Sequence, residues 1–437
     1  MLTRRGFLGA AGLAGLAATT CSRPGDALGE LQDDLPPLRR PSAAPDVVAR
    51  DEEYWRRVAA YYQVGEGYTN LEAGYFGMMA APVLAAYHGH IDRVNRDSSY
   101  YARRDYGADF EAVRERVARL LGARPPEIAL TRGATEALQR LIIQYRHLAP
   151  GDAVIYADLD YGAMQLAMNA LAQQRGASVV KLEIPEPATR ANVLDAYARI
   201  LEATPSARLL LLTHLNNKTG LIIPVQEIVA LARARGVDTV VDAAHSFGQC
   251  DLTLDDLGAD FVGLNLHKWL GAPVGAGVMY IKGSRLGDID VMLGDDGPAD
   301  RIESRMHTGT ANFATFLTVP AALDFHDAVG APHKAARVRY LRDRWVTAVR
   351  GTRGIDVLTP DDHDLVAAIT SFRLGGRTGT EENQAIVRDL LERYGLFTVW
   401  RNGVARGDCV RVTPSVYNTP ADLDRLAEAL RALAARA

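Results

Sequence analysis

From residue 128 onward the chain alternates short apolar or β-branched runs with longer amphipathic ones, and this alternation limits its fold more than any other feature. The runs "EIALT", "AVIYA", "SVVKLEI", "ARLLLLTHL" and "VDTVVDAAH" are separated by "GATEALQRLIIQYRHL", "YGAMQLAMNALAQQRG", "NVLDAYARILEAT" and "PVQEIVALARARG". A short unbroken apolar run suits a strand covered on both faces, and the intervening three-to-four spacing of apolar residues suits helices. The pattern predicts an α/β architecture: a mostly parallel sheet in a large domain, wrapped by helices.

Beyond residue 318 the rhythm changes: helical segments "VPAALDFHDAV" and "HKAARVRYLRDRWVTAVR" precede strands near "LVAAITSFRL" and "CVRVT" and a final helix "DLDRLAEALRALAARA". We read this as a smaller α+β carboxyl-terminal domain that closes over a substrate. The expected division is an export signal at 1–28, a linker at 29–50, an amino-terminal segment at 51–80, the large domain at 81–317 and the small domain at 318–437.

The signal is read from "TRRGFLGAAGLAGLAATTCS", where Arg4 and Arg5 precede Phe7, Leu8 and a weakly apolar stretch too short to cross a bilayer. It resembles a twin-arginine export signal, which implies a periplasmic protein with no stable membrane anchor after signal removal. Lipidation at Cys21 is the weaker reading, because Ala18 stands where a leucine is expected. The twin-arginine route carries folded proteins, so a cofactor would be acquired before export. A formal charge of -4 and a pI near 6.2 supply no basic field for a polyanion, so nucleic acid is not an expected partner. Cys21, Cys250 and Cys409 are spaced too irregularly for a disulfide framework or a zinc site, so no metal is expected.

Ligands of parallel sheets bind where the strands end, and here polar or aromatic residues recur at those ends. They are Thr135 after "TRGA", Tyr161 after "DLD", Asn216 and Asn217, Asp242 and His245, then Asn265, His267 and Lys268 in "GLNLHKWLGAPVGAG". No dinucleotide glycine fingerprint or P-loop occurs. A carboxylate ending a buried strand needs a cationic partner, and a protonated pyridine nitrogen is one. A desolvated lysine near other cations becomes a nucleophile able to form a Schiff base. Those two demands are the demands of pyridoxal phosphate. The opening of the "TRGATEA" helix, with the Thr135 hydroxyl, suits a phosphate. Tyr161 suits ring stacking, Asn217 and His245 can donate to the ring oxygen, and Asn265 and His267 can reach the phosphate. Singly, each position has a plainer role: Asp242 a helix cap, Tyr161 a core residue, Asn216 and Asn217 a turn before Thr219-Gly220, Lys268 a solvated charge.

Together, "TNLEAGYFG", "TRGATEAL", "DLDYGAM", "THLNNKTGLIIPV", "TVVDAAHSFG", "HKWLGAPVGAGVMY", "RMHTGTANFATFLTVPAALDF" and "RVTPSVYNTPADLDRL" resemble the class V aminotransferase family of pyridoxal phosphate enzymes, fold type I. "DAAH" and "HKWL" are most similar to its isopenicillin N epimerase-like branch. The resemblance implies Lys268 as the Schiff-base lysine, Asp242 as the ring-nitrogen partner and Tyr161 as the stacking residue. It further implies Ala134, Thr135, Asn265 and His267 at the phosphate and Asn217 and His245 at the ring oxygen. Thr310 would reach the phosphate of a neighbouring subunit in a homodimer, and Arg411 would clamp a substrate carboxylate. Desulfurases of the family carry a mobile-loop cysteine upstream of that arginine, whereas Cys409 lies two positions before Arg411, so sulfur abstraction is disfavoured. The expected activity is transamination or a related change at the amino group of an amino acid or peptide-like metabolite, with siderophore tailoring one example. Epimerisation is the alternative. A silent binding fold would lack Lys268 or Asp242.

Overall fold

The computed structural model describes residues 35, 37–306 and 309–436; the expected export signal, with Arg4, Arg5 and Cys21, lies outside the described residues. The alternating runs form one sheet from β1 (Ile128–Thr131), β2 (Ala153–Ala157), β3 (Ser178–Leu182), β4 (Ala207–Thr213), β5 (Asp238–Asp242), β6 (Phe261–Asn265) and β7 (Gly277–Ile281). Its spatial order is β1-β7-β6-β5-β4-β2-β3. From β6 across to β3 all pairings are parallel, whereas β7 runs antiparallel to both β6 and β1. Six strands therefore point one way, and their carboxyl ends share an edge. The loop from β6 to β7, residues 266–276, turns back at that edge and carries Lys268.

Helices α1 (Ala81–Arg104) and α2 (Tyr106–Leu121) precede the sheet in the chain. Period-two alternation divides the strand side chains between two cores. On one face Val154, Tyr156, Leu209, Leu211, Val240 and Phe261 meet α3 (Ala134–Ile143) and α4 (Gly162–Arg175). On the other face Ile155, Leu210, Leu212, Val241 and Val262 meet α2, α5 (Arg190–Ala203), α6 (Val225–Arg233) and α7 (Phe313–Val329). Leu209 to Leu212 have no exposed surface, and each such side chain contributes about 1.5–3 kcal/mol relative to exposure. The exception is β3: Val179 is 39% exposed, because this strand is the sheet's edge and not an interior strand as its composition implied.

The carboxyl-terminal layer begins with α8 (Ala331–Val349), followed by an antiparallel sheet of β8 (Ile355–Val357), β9 (Thr370–Leu374), β10 (Val399–Arg401) and β11 (Cys409–Val412). With α9 (Thr380–Tyr394) and α10 (Pro420–Ala434) it encloses Leu341, Trp345, Phe372, Val410, Leu423 and Leu430. This matches the expected α+β composition. The expected division after residue 317 falls inside α7, whose Phe316, Val319 and Leu323 belong to the main-sheet core; the chain turns into the next layer at Gly330, φ 86°. Within the expected linker, Pro45–Val48 is a helical turn, and Val48 and Ala49 are buried where the Trp55 indole donates to the Val48 carbonyl at 2.7 Å.

The amino-terminal segment reaches both layers. Thr69–Asn70 pairs in parallel with Leu396–Phe397. Further on, Gly77 N donates to His267 O at 2.8 Å. A Cβ at residue 77 would stand 1.8 Å from Lys268 O, so only glycine fits beneath this loop. Among the described residues no helix is long and apolar enough to cross a membrane.

Candidate active site

A cleft of about 590 Å³ opens at the carboxyl ends of β4, β5 and β6. Its lining includes Ala134, Thr135, Tyr161, Asn217, Asp242, His245, Asn265, His267, Lys268 and Arg411. Ten of the residues singled out from sequence thus converge, whereas Asn216 does not line the cleft and Thr310 is exposed outside the cleft of its own chain.

Asp242 closes β5 and is 3% exposed. Its Oδ1 accepts from Ala244 N at 2.9 Å. Burial raises its pKa, with the Ala244 bond and the charge of Lys268 opposing that rise. Lys268 Nζ lies 2.8 Å from His245 Nε2. Burial pushes the amine down to about 8, helped by Arg411 and Arg401 and resisted by Asp242 and Glu72. A solvated lysine at pH 7 is neutral in about one molecule in 3,000, this one in about one in ten. Lys268 is therefore not the solvated surface charge that its residue type suggests.

His245 is 3% exposed and lies between Lys268 on Nε2 and the Trp269 indole, which donates to Nδ1 at 3.2 Å. Burial holds its pKa far below the ordinary range, and Lys268, Arg411, Arg401 and His267 add to the effect. His267 Nδ1 meets the Ala276 carbonyl at 2.7 Å. A carbonyl only accepts, so this nitrogen carries the proton. Burial lowers the His267 pKa too.

The start of α3 lines one part of the cleft. Gly133 precedes it because a Cβ there would meet Asn265 Oδ1 and His267 Cε1, each at 3.2 Å. Asn265 Oδ1 accepts from Ala134 N at 2.8 Å, so these two residues hold each other and orient the helix. Thr135, exposed on the first turn, lines the cleft at the positive end of the helix dipole, where an anion would be favoured. Tyr161 is 42% exposed at the N-cap of α4. The loop before it is pinned by two buried acids that the sequence did not single out. Asp158 accepts from Ile184 N and Ala405 N at 2.9 and 2.8 Å, and Asp160 from Ala157 N and Thr213 N at 2.7 and 2.9 Å. Asn216 takes the turn role, its Oδ1 accepting from Lys218 N and Thr219 N at 3.1 and 2.8 Å, while Asn217 faces the cleft.

Arg411 is 1% exposed; Nη1 donates to Asn217 O at 2.8 Å and Nη2 to the Glu72 carboxylate. Arg401 stands 3.4 Å from the same carboxylate, and its side chain is 25% exposed. Burial and the neighbouring Arg411 push its pKa down to about 10. Sequence reading missed both Arg401 and Glu72. Neither sits at a main-sheet strand end: Arg401 enters because β10 pairs with β11, and Glu72 because the amino-terminal segment bridges to Thr413. Cys409 is wholly buried on β11 and Cys250 partly buried; burial lifts the thiols to about 11 and about 12, so neither is a thiolate near neutrality. Among the described residues no His, Cys, Asp and Glu cluster could hold a metal.

Comparison with known proteins points the same way. The profile of the aminotransferase class-V family matches residues 81–426. Isopenicillin N epimerase of Streptomyces clavuligerus is 30% identical over 385 residues, 83% of this chain and 94% of that protein. The crystal structure of the Escherichia coli cysteine desulfurase CsdA superposes with a TM-score of 0.73 at 25% identity, covering 87% of this chain and 98% of that one. A C-DES variant with glycine covalently linked to its pyridoxal phosphate cofactor superposes equally well, TM-score 0.73, at 20% identity over 84% of this chain and 97% of its own.

Proposed function

Since the chain belongs to the class V aminotransferase family of pyridoxal phosphate enzymes, we propose that it acts at the α-carbon or amino group of an amino acid or a peptide-like metabolite. The reaction we favour is transamination or a related amino-group change. The observation that carries this reading is one amine, Lys268, lining the same cleft as Asp242, 2.8 Å from His245, with its pKa pushed down to about 8 by burial.

The residues fit the cofactor. The Thr135 turn of α3 and His267 suit its phosphate, Asp242 a cationic ring nitrogen, Tyr161 a ring face, and Asn217 and His245 the ring oxygen. When bound, it supplies an electron sink for charge released at the substrate α-carbon. Asp242, kept from water, favours a proton on the ring nitrogen. Lys268 Nζ would hold the cofactor's aldehyde and, as the one amine lining the cleft among the described residues, would move the α-proton. Arg401, the more exposed of the two arginines, orients a carboxylate, with Arg411 behind it held by Glu72.

Epimerisation is the second reading, supported by the 30% identity to an isopenicillin N epimerase. It needs a proton donor on each face of the substrate, whereas one lysine suffices for transamination. The buried thiols argue against sulfur abstraction. We further propose export by the twin-arginine route to the periplasm, supported by Arg4, Arg5, Phe7 and Leu8, which makes a bulky substrate such as a peptide siderophore reasonable. We propose a homodimer as well, supported by Thr310, exposed outside its own cleft, and by the exposed Tyr75, Phe76 and Val274.

The test is to incubate cofactor-loaded enzyme with amino-acid and peptide pools in deuterated water, and to read mass and chirality of every component. Transamination predicts loss of an amine to an oxo product; epimerisation predicts deuterium at an inverted centre. No exchange with any α-amino compound, in protein that has bound cofactor, refutes both.

A further inference from the structure

The His245 imidazole has two neutral tautomers, and the structure contains a device that selects between them. The indole of Trp269 has a single hydrogen-bonding group, an N–H that only donates. It donates to His245 Nδ1 at 3.2 Å. That nitrogen must then present its lone pair, and the ring proton must sit on Nε2.

We propose that Trp269 is a positioning residue: by holding Nδ1 as an acceptor it commits His245 Nε2 to donating, toward the Lys268 amine and toward the cofactor's ring oxygen. This rests on the proposed cofactor. The consequence for Lys268 is direct. An Nε2–H can bond Nζ at 2.8 Å only through the amine's lone pair, so the contact belongs to the neutral amine. The other tautomer would instead accept from an ammonium and favour the unreactive form. The titratable groups that act on His245 are Lys268, His267, Arg401 and Arg411, and Asp242 and Glu72 act on Lys268. Burial, with the Arg401 and Arg411 guanidiniums nearby, disfavours a second proton on the imidazole, so the neutral ring's tautomer is the choice that Trp269 settles.

Trp269 is built to hold this position. It directly follows Lys268, is 5% exposed, and packs with Leu215, Ile222 and Val416. Its carbonyl accepts from the buried ammonium of Lys334, and the preceding carbonyl, Lys268 O, accepts from Gly271 N at 3.2 Å. On the other side the His245 carbonyl accepts from the Gln249 amide at 2.9 Å. The indole and imidazole are thus fixed from behind, and the loop geometry that presents Lys268 presents Trp269 to His245 as well.

The test uses Trp269→Phe, in protein with ring-labelled histidine, and nitrogen NMR of cofactor-free protein at pH 8, with the His245 signals assigned through His245→Gln. Wild type is expected to show a protonated Nε2 and a bare Nδ1; losing one neutral hydrogen bond shifts the tautomer ratio by about tenfold in Trp269→Phe. In cofactor-loaded protein the midpoint of the visible band's pH titration moves in Trp269→Phe, and does not move further when His245→Gln is already present, because an amide has no tautomer to choose. If Trp269→Phe fails to fold, benzothienylalanine at 269 keeps the ring shape without the N–H and gives the same two shifts. An unchanged tautomer, or an equal shift in the His245→Gln background, overturns the proposal. A wild type that binds no cofactor but retains the tautomer signal refutes the cofactor reading and leaves the indole's effect on His245 standing.

Discussion

A buried amine has a cost in stability, and that cost depends on pH in a calculable way. Lys268 titrates near 8 in the folded chain and near 10.4 when unfolded. Below pH 8 both states carry the proton and the folded state bears the whole penalty. As pH rises through the window between the two values, the unfolded chain binds more protons than the folded one, so stability rises with pH. The linkage integral gives a penalty of about 3 kcal/mol at pH 7 and about 1.3 kcal/mol at pH 9.5. Lys268→Met removes it. The substitution also orphans the His245 Nε2 donor, at roughly 1–3 kcal/mol at every pH, so the slope and not the offset carries the test. Urea unfolding of cofactor-free wild type and Lys268→Met at pH 7 and pH 9.5 is expected to show the difference in unfolding free energy change by about 2 kcal/mol, in the wild type's favour at the higher pH. A difference that is flat with pH would mean that Lys268 titrates as a solvated lysine, and the argument for its reactivity would fail with it.

Arg401→Met is expected to raise KM for a carboxylate-bearing substrate by about tenfold or more while kcat changes little, because it removes a contact made alike in ground and transition states; steady-state kinetics would decide, and an unchanged KM would leave Arg411 as the carboxylate receptor. Gly77→Ala forces a Cβ to 1.8 Å from Lys268 O, so either the segment or the lysine loop must move; we expect about 1–3 kcal/mol of lost stability together with a weakened visible cofactor band, and an unperturbed band would show that the loop does not depend on this approach. Cys250→Ala and Cys409→Ala should keep activity within about threefold, consistent with thiols that burial keeps protonated; loss of turnover in either one, with folding intact by circular dichroism, would bring sulfur chemistry back.

The edge that carries the cleft was legible in sequence because buried parallel strands read as unbroken apolar runs, and the residues just after each run must lie at one edge. Asp242 after "TVV" and Lys268 after "GLNLH" were placed by that logic alone, and the structure brings both into one cleft. The reversed direction of β7 was not legible: "GVMYI" is as apolar as its parallel neighbours and fully buried, so composition carries no arrow. Edge strand β3 misled in the same way, since Val179 and Val180 have β-branched character whether covered or not. Glu72 and Arg401 were hidden for a different reason. Arg411 and Glu72 meet across 339 positions of sequence, through strand pairings that no local pattern encodes. The Trp269–His245 bond likewise depends on how two loops cross, although both residues stand inside the family-like motifs "HKWL" and "DAAH".

The pairing of Thr69–Asn70 with Leu396–Phe397 bears on the order of events during synthesis. A ribosome releases the early strand hundreds of residues before its partner exists, and contacts of such long sequence separation form late. The Glu72 side of the cleft is therefore completed only near the end of translation. A nascent chain that has exposed everything up to β7 already carries Lys268, yet lacks Arg401 and Arg411, which line the same cleft. A chain truncated before residue 396 therefore lacks part of the lining of its own cleft.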